Sequence, residues 1–159
     1  MSSRYTSVPA VIDTLEALWR AAMAGEVDVQ VSDGFPGPTQ ANDIVTIGGT
    51  TANTEEGESK PAGLGIAVIE EDFNVHCAIS CYRGAATDLS DQKIARDAAY
   101  SLLDRCLDAV YADVQLGGAC TWAIFDRHAL KQSDTNDATS GRAAEIGFTL
   151  RVYSRFQIL

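Results

Sequence analysis

The last stretch of the chain constrains the fold more than any other. Across residues 143–156, Ala144, Ile146, Phe148, Leu150, Val152 and Phe156 fall on one side. Glu145, Thr149, Arg151, Tyr153 and Arg155 fall on the other. A period of two means a strand with one face in a core and one toward solvent, and a one-residue slip would exchange the faces. Residues 119–131 alternate as well, with Cys120, Trp122, Ile124 and Leu130 on one side. The turn-rich SDTNDATSG between the two runs predicts a long C-terminal hairpin over 119–156.

The rest of the chain supplies the cover for such a sheet. Val8, Val11, Ile12, Leu15, Leu18, Trp19, Ala22 and Met23 recur at intervals of three and four, which predicts a helix. Ser7 is placed to cap it, Pro9 sits in its first turn, and Gly25 is placed to end it. Val27, Val29 and Val31 read as a half-buried strand closed by Asp33-Gly34 and two prolines. Ile44–Ile47 reads as a second strand ending at Gly48-Gly49, and residues 50–63 as a solvated polar loop. Phe73, Val75, Cys77, Ile79 and Cys81 mark one face of a further strand. The preceding Glu70-Glu71-Asp72 reads best as a solvated turn. A second helix is expected from about Ser90 to Asp113, with Ile94, Ala95, Ala98, Leu102, Leu103, Cys106, Ala109 and Val110 inward. Strand runs adjacent in sequence predict an α+β fold: a mostly antiparallel sheet with two helices on one face, in a single domain over 1–159.

Charge narrows the function. The 159 residues carry 22 acidic and 12 basic groups, a formal net charge of −10. Affinity for phosphate comes from Lys and Arg releasing counterions, so tight nucleic-acid binding is disfavoured, as is docking on an anionic membrane. No apolar run is long enough to span a bilayer, and the charged N-terminal segment does not read as a signal peptide. The four scattered cysteines read as small buried hydrophobes in a reducing compartment.

Few residues suggest chemistry. His76 and His128 have no ligand partner at metal spacing on their own faces. Cys77 and Cys81 share a face but stand roughly 13 Å apart on a strand, too far for one ion. No Walker sequence or G-x-S-x-G elbow is present, and Gly48-Gly49 and Gly63-Leu64-Gly65 read as turns or bulges. Nothing gathers a nucleophile, a base and an orienting group, so neither catalysis nor a cofactor is expected. The charge is uneven, however. Residues 1–118 hold 7 basic and 18 acidic groups, net −11, and residues 119–159 hold 5 and 4, net +1. Arg127, Arg142, Arg151, Tyr153 and Arg155 are therefore candidate subunit contacts, where a near-neutral sheet end meets an acidic body. An ordinary solvated sheet face is the other reading of the same residues.

The order of these segments resembles the tail terminator (tail completion) proteins of long-tailed phages, which also occur in prophages and gene transfer agents. The likeness runs through VPAVIDTLEALWRAAM, VDVQVSDGFPGP and NDIVTIGG, then DFNVHCAISCYRG and LSDQKIARDAAYSLLDRCLDAVYADVQLGG, and finally GRAAEIGFTLRVYSRF. It spans nearly the whole chain and rests on pattern and order, with no catalytic signature. It implies a sheet flanked by helices and a homohexameric ring at the head-proximal end of the tail, in the virion, assembled in the host cytoplasm. The ring would end polymerisation of the tail tube protein and meet the head's connector or stopper protein. No enzymatic activity, cofactor or membrane is implied. Another head–tail joining component or a tail tube protein is the near alternative. A small cytosolic α+β enzyme or ligand-binding domain is the distant one. DNA would cross such a ring only in transit, and an acidic wall would let it slide. Asp28, Asp33, Asp43, Glu55, Glu56 and Glu58 are the candidates for that wall. Replacing Glu55, Glu56 and Glu58 together by Lys is expected to slow DNA ejection from assembled particles, as read by time-resolved release; unchanged kinetics would remove these residues from the wall.

Overall fold

A computed structural model describes residues 5–37, 41–52, 68–84, 90–134 and 141–157. The elements are α1 (Val8–Ala22), β1 (Val29–Asp33), β2 (Asp43–Ala52), β3 (Val68–Arg83), α2 (Ser90–Ala112), β4 (Trp122–Asp134) and β5 (Arg142–Gln157). The strands form one sheet in the order β1-β2-β3-β5-β4, with β1 parallel to β2 and the other pairings antiparallel. The fold is α+β, as the strand and helix order predicts.

The two central strands pair without a break, from Val68 opposite Gln157 to Arg83 opposite Arg142. Their inner face carries Phe73, Val75, Cys77, Ile79 and Cys81 against Ala144, Ile146, Phe148, Leu150 and Val152, all buried. Both helices cover that face. Trp19 of α1, fully buried, lies 5.8 Å from the Phe148 ring and donates its indole N–H to the Cys106 carbonyl of α2 at 3.1 Å. One side chain thereby ties α1, α2 and β5 together, with its polar atom satisfied.

Several local expectations are corrected. Ser7 does not cap α1: it has helical dihedrals, and its hydroxyl and N–H both donate to the Glu71 carboxylate, at 2.6 and 2.8 Å. A carboxylate from β3 thus meets the positive end of the α1 dipole, a role the sequence assigns to a local side chain. Val27 stays outside β1 and is 91% exposed, because Asp28 adopts a positive φ of 73° that breaks the extended backbone. Strand β2 does not end at Gly48-Gly49 but passes through a register shift between Ile47 and Thr50, so these glycines mark a bulge. Residues 50–52, expected in the polar loop, belong to β2; residues 53–63 of that loop lie outside the described residues. Glu70-Glu71-Asp72 is no turn but part of β3, with cross-strand partners on β5 that local composition does not reveal.

The inward stripe of α2 is Ala95, Ala99, Leu102, Leu103, Cys106 and Val110, whereas Ile94 is 49% exposed. The largest change is in β4. Ala123 is the buried residue, and Trp122 and Ile124 turn to the other side, with Ile124 39% exposed. A bulge between Phe125 and Arg127 then shifts the parity, so Leu130, opposite Ile146, packs against the core. One added residue inverts the faces, which a strict period of two over 119–131 cannot represent.

Gly48 is needed where it stands. A Cβ there would lie 2.7 Å from the His76 carbonyl oxygen on the neighbouring strand. Gly48→Ala is expected to lower unfolding free energy by about 1–3 kcal/mol through overpacking against backbone, measured by denaturant titration.

Candidate functional site

Along β3 and β5 the outward parity gives the pairs Glu70–Arg155, Asp72–Tyr153, Asn74–Arg151, His76–Thr149, Ala78–Gly147 and Ser80–Glu145. Strand β4 adds Trp122 beside Tyr153, Ile124 beside Arg151, and Arg127 beside Thr149. Among the described residues, no helix packs on this side, since the helices and the core share the other.

The sequence candidates lie in different surroundings. Arg127, Arg151, Tyr153 and Arg155 share the outward face, but all three of these cations have partners inside the chain. Arg151 holds Asp72 with two bonds, at 3.1 and 2.6 Å, and Arg155 lies 3.4 Å from Glu70. The Asp72 carboxylate raises the Arg151 pKa above its usual value. Arg127 pairs with its neighbour Asp126 at 2.7 Å. Tyr153 stacks on Trp122, with ring centroids 5.6 Å apart and 23° between planes, and desolvation followed by Glu70 pushes its phenol pKa up. Arg142 is set apart, at the far end of β5 and opposite Arg83 and Asp134, nine residues or roughly 30 Å from Arg151. The positive charge of the final strand is thus largely matched by β3 carboxylates lying across the ladder. Trp122, aligned with Tyr153 only by the bulged register, is the neighbour that sequence reasoning placed on the wrong face.

The acidic candidates do not form one cluster either. Asp28 and Asp43 are adjacent at the start of β1 and β2, where Asp43 N–H donates to the Asp28 carbonyl at 3.2 Å. Asp28 accepts a hydrogen bond from the Asn42 side chain. Asp43 is half-buried and doubly bonded to Arg83 at 2.5 and 3.0 Å, which raises the Arg83 pKa. Asp33 is exposed at the opposite end of β1. Glu55, Glu56 and Glu58 lie outside the described residues.

The groups capable of chemistry are dispersed. His76 lies on the polar side as its strand pattern predicts, with Nε2 2.8 Å from the Thr51 hydroxyl and Nδ1 3.3 Å from that of Thr149. His128 packs edge-on against Tyr100, whose hydroxyl is 3.4 Å from Nε2. Among the described residues, no three His, Cys, Asp or Glu side chains converge in a way that could hold a metal ion, and no helix is long and apolar enough to cross a membrane. A cleft of about 260 Å³ lies between the start of α1 and the end of β5, lined by Thr6, Ser7, Thr121, Ser154 and Arg155 among others. It contains neither histidine nor a thiol activated as a nucleophile.

No protein-family model matches the sequence, and no curated protein matches it. Among solved structures, one similar to this chain is the sheath/tube terminator of an extracellular contractile injection system (PVC) in its extended state. The TM-score is 0.43 at 11% identity, over 94% of this chain and 56% of that one. The chain thus spans little more than half the length of that protein. At this identity and score the likeness assigns no role.

All four cysteines are buried and free of disulfides. Burial first of all raises their pKa values: Cys77 well above the usual thiol range, Cys81 and Cys106 to about 12 and Cys120 to about 11 from 9.0. A thiol held protonated is a poor nucleophile and metal ligand. In the unfolded chain these groups lose their protons near pH 9, while in the folded chain they keep them. The folded state therefore binds more protons above that pH, and stability falls as pH rises. Unfolding free energy is expected to decline from about pH 9 toward 12, and a Cys→Ala variant at position 106 to show a shallower decline in the same titration.

Proposed function

We propose that residues 1–159 act as one tail-terminator-like domain, a structural protein of the phage virion rather than an enzyme. In this reading the chain forms a hexameric ring at the head-proximal end of the tail tube. It ends tube polymerisation there and joins the tail to the head connector or stopper protein. Its neighbours are other copies of itself, the tube protein and the connector, with DNA passing through the lumen. Arg127, Arg151, Tyr153 and Arg155 are the proposed subunit contacts on the open face, with Arg142 contributing from the other end of β5. The acidic residues Asp28, Asp33, Asp43, Glu55, Glu56 and Glu58 are proposed to face the lumen or the tube.

The observation that supports this reading is a coincidence between pattern and shape. The ordered sequence segments that resemble tail terminators fold into a sheet with one face covered by both helices and the other left uncovered among the described residues. An uncovered sheet with matched charges and an aromatic stack suits contact with other protein surfaces, where complementary charge gives register and specificity. Asp43 is the weakest of the lumen candidates, since its carboxylate already serves Arg83.

The test is assembly. Purified chain added to isolated tails is expected to appear by electron microscopy as a six-fold ring at one end of each tail. Tails grown without it should exceed normal length. Filaments formed by the chain alone would instead favour a tube protein. A chain that leaves tail ends bare and tail length unchanged would overturn the reading.

A further inference from the structure

The two edges of the sheet, β1 and β4, differ in what they expose. Strand β1 is five residues long, and the Arg20 guanidinium donates to its Val31 carbonyl at 3.4 Å, so a cation guards that edge. The first half of β4 is closed by the end of α2. Ala123 N–H donates to the Val114 carbonyl at 2.8 Å, and Phe125 N–H to the Tyr111 hydroxyl at 3.2 Å. Those two bonds show which residues turn their backbone away from β5. Carried across the extra residue of the bulge, the same alternation directs the N–H and C=O groups of His128, Leu130 and Gln132 to the open edge. Among the described residues no strand pairs with this edge, α2 reaches the stretch through Tyr100 against the His128 ring, and Arg127, His128, Lys131, Gln132 and Ser133 are exposed. Such an edge is a template for another strand.

Charge decides which strand. On the open-face side this segment carries Arg127 and Lys131, four residues apart, with Ala129 between them and Ser133 beyond. Within the sheet Lys131 already lies opposite Glu145. A second copy of this segment is a poor match, because residues 127–133 contain no carboxylate to set against either cation. Antiparallel self-pairing that keeps the faces matched and is centred on Ala129 sets Arg127 against Lys131 twice. Centring on Lys131 sets that lysine against itself, and centring on Leu130 sets Arg127 against Ser133 and Lys131 against Ala129, leaving both cations without a carboxylate. Like charges directly opposite each other destabilise a strand pair.

We propose that residues 127–133 of β4 form a strand-addition site for an extended segment of a different protein, one carrying carboxylates at alternate positions toward Arg127 and Lys131. Main-chain bonds to His128, Leu130 and Gln132 supply the attachment, and the two cations select the partner. The exposed Asp126–Arg127 pair is a weak competitor, as exposed pairs generally are.

The site is tested by titrating the full isotope-labelled chain with a blocked octapeptide of four Thr-Glu repeats and with its Thr-Lys counterpart, following amide resonances. Shifts at His128, Leu130 and Gln132 that saturate with the acidic peptide, and binding about tenfold weaker for the basic one, are expected from two cross-strand charge pairs reversed in sign. Gln132→Pro removes an outward N–H without touching the β4–β5 bonds and should abolish the shifts. Lys131→Glu should narrow or reverse the preference, and it keeps the test decisive where the proline variant fails to fold. Equal response to both peptides, or no response at these amides, would overturn the proposal. So would light scattering that shows a dimer abolished by Gln132→Pro. None of these outcomes depends on whether a ring is seen on tails.

Discussion

The unbroken pairing of β3 with β5 is the constraint from which the rest of the structure follows. Sixteen residues of each strand run side by side in one register, a ladder roughly 50 Å long. Because side chains alternate, one register assigns every residue of both strands to a face. All the large apolar groups fall on the side that Trp19 and α2 cover. The Arg151–Asp72 and Arg155–Glu70 pairs fall on the other, while Arg83–Asp43 has the core-side parity at the end of the ladder. A slip of one residue would bury Arg151 and Asp72 and expose Phe148, so the ladder is specified by burial along its whole length.

The same register reshapes the meaning of the charge. Read linearly, the final strand is basic and the body acidic, which invites a contact between one copy and the next. In the folded chain, Arg151 and Arg155 are opposite carboxylates of β3, and part of that complementarity is used internally. Exposed ion pairs of this kind contribute little stability but hold side chains in register, leaving a polar, ordered surface. Arg127, whose ion partner is its own neighbour Asp126, and Lys131 lie on β4, the edge strand, and there the sheet retains backbone groups to offer.

Much of the fold was legible because periodicity reports burial directly. The faces of β3 and β5, the course of α1, and the α+β class follow from spacing alone. Where the reading failed, a nonlocal partner or a single irregular residue was the cause. Ile94 has near-helical spacing with the α2 stripe but falls at its margin, and its neighbour Ala95 takes the fully buried position. Trp122 and Ile124 look inward until the bulge at Asp126 is counted. Ser7 looks like a cap until Glu71, 64 residues away, takes its hydroxyl and N–H. The site candidates fared in the same way: Arg151, Tyr153 and Arg155 were grouped by alternation, while their partners on β3 and β4 were not visible in sequence.

The sequence by itself determined which residues could be inside, since a period of two or of three and four is imposed by backbone geometry and needs no knowledge of neighbours. It also determined the acidic balance that disfavours phosphate binding. Tertiary structure alone decided which charges meet, which glycines form a bulge, and which edge stays open. Those outcomes depend on contacts between residues far apart in the chain. No local pattern encodes a partner that arrives only when the strands pair.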